Sequence, residues 1–166
     1  MEKTLNIVRK KHGFKPVQAK RVRGFEPVSR LGTIVRKPTR GSIHSAGYDI
    51  YVYDDYTIEP KQSVLIRTGI KAYMPHDEYL DLRVRSSLGI KRQLMLATGA
   101  SVIDSDYYNN EDNEGEIMVV LYNYGDTTQT IEAGEHIVQG IFTKYHLIDD
   151  DCTTAVRTGG TGSTNK

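Results

Sequence analysis

The sequence is short of cysteine, of long apolar runs and of helical periodicity, and each shortage excludes something. One cysteine, Cys152, in 166 residues rules out an internal disulfide and a cysteine-based metal site. With no charged, apolar and small-residue leader pattern at the start, it makes a cytoplasmic protein the expectation. No apolar run approaches membrane-spanning length, so no membrane partner is expected. His12, His44, His76, His136 and His146 are scattered and carry no zinc-site spacing. No segment keeps apolar residues at helical period over three turns, and only "SSLGIKRQLMLA" could carry a short helix. Hydrophobic residues make up 38% and mean hydropathy is -0.48, enough for one core in one domain with little to spare.

Charge is unevenly placed. Residues 1–40 carry twelve Lys/Arg against Glu2 and Glu26, a net of +10, whereas residues 41–166 carry ten against nineteen acids, a net of -9. The basic segment has few aromatics and no recognisable binding module. It therefore reads as a solvated extension over residues 1–24, and no nucleic-acid partner is expected. Its echo of "GFKPV" in "GFEPV" is two copies, too few for a stacked repeat.

From about residue 45 the chain turns to short β-type segments. "YDIYVY" and "SVLIRTGIKAYM" are rich in β-branched and aromatic residues, and "EYLDLRVR" alternates apolar with charged. "GEIMVVLYNYG" and "EHIVQGIF" follow, separated by turn signals such as "NYGD" and "EAGE". Many short strands with recurring turns predict an all-β barrel or sandwich.

Polar clusters interrupt the strands. Asp49 follows Gly47 at a strand entry, and Arg85, Ser86 and Ser87 follow another strand. Asp104 and Asp106 flank Ser105 ahead of Tyr107, and Gln139 stands in an apolar strand. Singly, these are turn and cap residues, with Ser-Ser able to cap the short helix. Jointly they suit a triphosphate: Arg and Ser for phosphate oxygens, carboxylates for Mg²⁺ or a water nucleophile, and "RTGGTGSTNK" as a glycine-rich closing tail.

The ordered series "AGYD", "RSSLGIK", "VIDSDY…GEI", "IVQGIF" and "RTGGTGST" resembles the five motifs of the trimeric dUTP diphosphatase (dUTPase) family over roughly residues 25 to 166. The resemblance implies a β-sandwich or jelly-roll domain at 25–156 and a tail at 157–166 that closes over nucleotide at a neighbour. It also implies a homotrimer with shared sites, dUTP as substrate and Mg²⁺ as cofactor. Asp104 matches the residue that activates the attacking water, and Tyr107 the aromatic that packs on deoxyribose and excludes a 2′-hydroxyl. Asp49 matches a carboxylate near hydrated Mg²⁺. Arg85 and Ser86, with Ser87 beside them, match phosphate ligands, and Gln139 a residue near phosphates and water. Arg157, Gly159, Gly160, Gly162, Ser163 and Thr164 match the clasp on the γ-phosphate.

Three positions depart from the family pattern. Ser87 replaces a glycine, and Asn109 to Glu114 ("NNEDNE") is inserted where the family runs on to Gly-Glu. Thr161 replaces the Phe or His that would stack on uracil, a contact of about 1–3 kcal/mol. The polar insert reads as an exposed hairpin tip, dispensable for chemistry. Two other functions stay open at this point: a nucleotide-responsive regulator on the same fold, and dCTP deaminase. The deaminase would need a glutamate where this chain has Val120, and valine moves no protons. Products released from dUTP separate the three.

Overall fold

Alternation of apolar and polar residues becomes, in the computed structural model of residues 21–161, a sandwich of antiparallel strands. In chain order the strands are β1 (Gly24–Pro27), β2 (Thr39–Arg40), β3 (Tyr48–Tyr51), β4 (Tyr56–Ile58), β5 (Ser63–Tyr73) and β6 (Glu78–Val84). After helix α1 (Ser86–Arg92) come β7 (Leu94–Leu96), β8 (Ser101–Asp104), β9 (Glu116–Asn123), β10 (Gln129–Ile131) and β11 (His136–Lys144). One sheet has the order β1-β5-β9-β7 and the other β2-β3-β11-β6-β8, with β4 and β10 forming a small pair. The expected all-β, jelly-roll-like fold is the one that forms, and the one predicted helix lies within "SSLGIKRQLMLA". Among the described residues no helix is long and apolar enough to cross a membrane.

The core lies between the two sheets. Ile66, Ile70, Ile117, Val119 and Leu121 from one sheet pack in a single cluster with Ile50, Leu80, Leu82, Ile137 and Val138 from the other. In β9, Ile117, Val119 and Leu121 point inward while Met118, Val120 and Tyr122 stay partly exposed, as a period of two requires. That outer face is apolar as well. Val120 lies opposite Leu65, and Leu65 and Met95 are both exposed.

Two irregularities in the strands aim polar side chains. β11 shifts register between His136 and Val138, which lets consecutive Ile137 and Val138 both be buried and sets the direction of Gln139. β5 shifts register against β9 between Arg67 and Lys71, and the side chain of Glu116 is received there. Its carboxylate is 1% exposed, accepts hydrogen bonds from Arg67 Nε (2.9 Å), Arg30 Nη2 (2.6 Å) and the Gly69 amide (3.0 Å), and is thereby both neutralised and satisfied.

The basic extension lies mostly outside the described residues. Arg23, at its end, is not free in solvent: it forks onto buried Glu78 with bonds of 2.9 and 2.6 Å.

Burial pushes the Glu116 carboxyl up, but the bonds from Arg67, Arg30 and Gly69 outweigh it and hold the group below its ordinary 4.5. A carboxyl depressed in the folded state stabilises fully above its unfolded pKa, and that stability drains away as pH falls through the folded value. Glu116→Gln should therefore lose about 2–3 kcal/mol at pH 7, the low end for a broken buried pair because both arginines can still reach water. In urea titrations the gap between variant and wild type should narrow once pH drops below 4.5.

Candidate active site

The sequence-predicted residues gather in two places. The first is at the end of the β3–β11–β6 strands. Asp49 in β3 pairs across the sheet with Gln139 in β11, and Arg85 directly follows β6. Arg85, not a serine, is the N-cap of α1. It is extended (φ -71°, ψ 143°), with no side-chain cap bond, so the expected serine cap is not made. Ser86 and Ser87 instead occupy the exposed first turn. Together with Gly41, Ser45 and Gly47 these residues line a polar cavity of about 280 Å³. Arg85 Nη1 stands 3.5 Å from Asp49 Oδ2, too long for a tight charged hydrogen bond, so both keep capacity for a ligand. Gly47 is required by close approach: a Cβ there would lie 2.5 Å from Gln139 Oε1.

The second place is the end of β8. Asp104 closes the strand, and the 3-10 turn Ser105–Tyr107 follows at once. Asp104, Tyr107, Arg157 and Thr161 line a cavity of about 200 Å³ with Val102, Ile103 and Met118. Arg157 Nη2 donates to Asp104 Oδ2 at 2.7 Å and Nε to Asp106 Oδ1 at 2.9 Å, and the guanidinium lies 5.7 Å from the Tyr107 ring centre. The Gly160 amide donates to Asp112 Oδ2 at 2.6 Å, and Gly159 and Gly160 are buried. The glycine-rich composition predicts a tail that folds only around a ligand. Its described part is instead docked through these carboxylates, while Gly162, Ser163 and Thr164 lie outside the described residues.

The inserted segment also departs from expectation. Asn109, Glu111 and Asp112 are exposed, but Asn110 is buried and Asn113 and Glu114 are half-buried. Ser29 donates twice to Glu114, from its amide (3.0 Å) and its hydroxyl (2.5 Å). Lys71 Nζ reaches Asn109 Oδ1 at 2.6 Å and Glu114 Oε2 at 3.3 Å. The Ser29 bonds and Lys71 hold the Glu114 carboxyl below its ordinary range. This is a clamped turn, not a free tip. Asp112 and Asn113 are site neighbours that reading the sequence missed. The available signal was the Asn110/Asn113 spacing, since Asn side chains organise turns by bonding backbone two or three residues on.

The two places share no lining residue. On β6, Gln139 pairs with Arg83 and Asp104 with Tyr79, and β6 lies between β11 and β8. Four residues along a strand and two strand spacings across put their backbones about 16 Å apart. One half gathers an arginine, three serines, a glutamine and Asp49, and the other pairs a carboxylate with a buried aromatic.

Known proteins resemble this chain over nearly all of its length. A family model described as dUTPase matches residues 34–165. The deoxyuridine 5'-triphosphate nucleotidohydrolase of Lactococcus lactis subsp. lactis (strain IL1403) is 42% identical over 147 residues, covering 87% of this chain and 98% of that protein. The mouse (Mus musculus) protein of the same name is 35% identical over 144 residues, covering 82% and 83%. The crystal structure of the dUTPase from Streptococcus mutans superimposes with a TM-score of 0.72 at 44% identity, over 76% of this chain and 98% of that one.

The Gly47 contact is directly testable. Gly47→Ala should push Gln139 out of its cavity and weaken a non-hydrolysable dUTP analogue about tenfold, as misplacement of a positioned polar group does. Calorimetric titration measures this, with an unchanged melting temperature showing that the sheet is intact.

Proposed function

We propose, for a chain that belongs to the dUTPase family and acts as a dUTP diphosphatase, that each active site joins the two half-sites of different subunits. The observation that carries this is the offset of Gln139 and Asp104 across β6, four residues along and two strands over, which ideal strand spacing makes about 16 Å. A base held there cannot reach an α-phosphorus whose oxygens are gripped at the other cavity of the same chain. A homotrimer resolves this, because a cyclic, head-to-tail interface brings different patches of identical chains together. Two further features support it. The outer face of β5 and β9 is apolar, and Leu147, Ile148 and Val156 in the segment after β11 are exposed at 68%, 72% and 83%. In this reading 25–156 is the catalytic domain, 157–166 the closing tail, and 1–24 stands apart. The lone exposed thiol of Cys152 suits a reducing, cytoplasmic setting.

At the assembled site Asp104 takes a proton from water as the water oxygen attacks the α-phosphorus. The bond from that phosphorus to the α–β bridging oxygen breaks, and pyrophosphate leaves with dUMP behind. Arg85, Ser86, Ser87 and Gln139 hold phosphate oxygens, and charge on the leaving group is met by Arg85 and Arg157. Arg157 is already gathered on Asp104 and Asp106. A triphosphate offers its fork a more highly charged partner, and the exchange frees Asp104 for water. Gly159, Gly160, Gly162, Ser163 and Thr164 then close on the γ-phosphate. Tyr107 packs on the deoxyribose.

Among the described residues no group of three or more His, Cys, Asp or Glu could hold a metal ion. That donor set does not suit a resident metal, but it fits Mg²⁺ that arrives on the nucleotide and keeps most of its waters, with Asp49 as an outer carboxylate. Bound so, Mg²⁺ would neutralise phosphate charge. Val120, at the position a deaminase would need for glutamate, lies on the outer face of β9 against Leu65.

Asp104→Asn should cut turnover roughly 10²–10⁴-fold with analogue affinity nearly intact, the range for loss of a general base. Arg85→Ala should also be nearly inactive. Refolding the two dead variants together should restore about a quarter of wild-type activity, because mixed cyclic trimers contain sites with both intact residues. No recovery on mixing would mean that each chain carries a complete site.

A further inference from the structure

Tyr107 is held by the segment that the chain adds between Tyr108 and Gly115. Its hydroxyl donates to the Glu116 carbonyl at 3.2 Å and accepts from Asn113 Nδ2 at 2.8 Å, while its own carbonyl accepts from Asn110 Nδ2 at 2.8 Å. The ring is 7% exposed.

Neither asparagine can be turned around. Asn113 Oδ1 accepts from Asn110 Nδ2 (2.8 Å) and from the Gly115 amide (2.9 Å), so only Nδ2 is left to face the phenol. Asn110 Oδ1 accepts from the amides of Asp112 and Asn113, both at 3.1 Å, which fixes its Nδ2 toward Tyr107. Flipping either amide would set donor against donor. Gly115 closes the loop at φ +80°, where a Cβ would meet the Tyr107 carbonyl at 2.5 Å. The result is a polar network within the turn in which the remaining Asn113 donor ends on the Tyr107 hydroxyl.

We infer that Asn113 is a specificity-positioning residue: by pinning the Tyr107 hydroxyl it holds the ring against the sugar and so excludes ribonucleotides. The inference rests on the reading of Tyr107 as the residue that meets the deoxyribose. A ring fixed at its hydroxyl and its backbone cannot retreat to admit a 2′-hydroxyl. A ring whose hydroxyl keeps only the longer bond to the Glu116 carbonyl (3.2 Å) is held from one side and can tilt about χ1 to make room. The inserted residues thereby act on which sugar is accepted and leave the chemical step alone.

The test compares kcat/KM for dUTP with kcat/KM for UTP. Both substrates carry the same triphosphate, so their ratio is blind to changes in charge near the phosphates. Asn113→Ala should lower the dUTP:UTP ratio about tenfold, the size of one lost buried hydrogen bond, mainly through faster UTP turnover. Asn113→Asp keeps the acceptor for Asn110 and Gly115 but loses the donor, so the Tyr107 hydroxyl, with one proton, can hold only one of its two bonds, to the Glu116 carbonyl or to the new carboxylate. It should show the same loss of ratio with dUTP turnover within about threefold, and it serves if the alanine variant unfolds. Tyr107→Phe removes both hydroxyl bonds and should lower the ratio at least as much, and adding Asn113→Asp to it should change nothing more, because the bond to residue 113 is already gone.

A ratio that stays put in Asn113→Asp while Tyr107→Ile collapses it would overturn the role of Asn113 and leave the sugar reading standing. A ratio that survives Tyr107→Ile as well would overturn both. Losses that add in the double variant would place the effect of Asn113 elsewhere than on the Tyr107 hydroxyl and likewise sink the proposal.

Discussion

A buried carboxylate, Glu116, sets the terms for both the fold and the site. Left alone in a β-sandwich it would cost several kcal/mol in lost hydration, so its partners are obligatory. They come from two distant stretches: Arg30 between β1 and β2, and, in β5, Arg67 together with the Gly69 amide at the register shift. Satisfying one side chain therefore joins the loop after β1, the centre of one sheet and the start of β9. The backbone of the same residue faces the site, where its carbonyl accepts the Tyr107 hydroxyl. Two positions earlier in the chain stands Glu114, tied to Ser29 and Lys71. A shift at Glu116 would move the Tyr107 ring and the hairpin above it together.

Sheet topology explains why the site is divided. β11 and β8 are separated by β6, and the residues that β11 and β8 carry are offset along it. No rotamer of Asp104 or Gln139 closes a gap of about 16 Å, and this offset is the physical ground for proposing a site assembled between copies. The apolar outer face of β9 then has a use. A monomer would leave Leu65, Met95 and Val120 against water for no gain, whereas an oligomer can bury them and complete the site in one step.

Much of this was legible in the residues. Strand periodicity and turn signals located β3, β5, β6, β9 and β11, because a half-buried strand must alternate. Ordered motifs brought out Asp49, Arg85, Asp104, Tyr107 and Gln139. What escaped was set by tertiary contact. Nothing in "SSLGIK" says that Arg85 rather than a serine would stand at the helix start. The polarity of "NNEDNE" suggested solvent, because composition records how polar a segment is and not where its hydrogen bonds end. Asn110 is buried because its amide has four partners, all of them within the hairpin. The docking of Arg157 likewise depends on two carboxylates, 51 and 53 residues away, meeting one guanidinium, a matter of folding and not of local pattern.

The tail illustrates how one missing side chain redistributes an interaction. An aromatic at position 161 would grip a base through its face, an apolar contact indifferent to salt. With Thr161 there, the described part of the tail is held by hydrogen bonds to carboxylates, from Arg157 to Asp104 and Asp106 and from the Gly160 amide to Asp112. Such bonds are directional and charge-assisted, and near the surface they are weakened by water and ions. They also hold the tail in register over Asp104 before any nucleotide arrives. If a triphosphate draws the guanidinium away, as proposed, the two arginine bonds break, whereas the Gly160 bond to the insert need not. In the proposed reading, closure on this chain is thus an exchange of partners by Arg157 about a tether already fixed at Asp112, rather than the ordering of a free end.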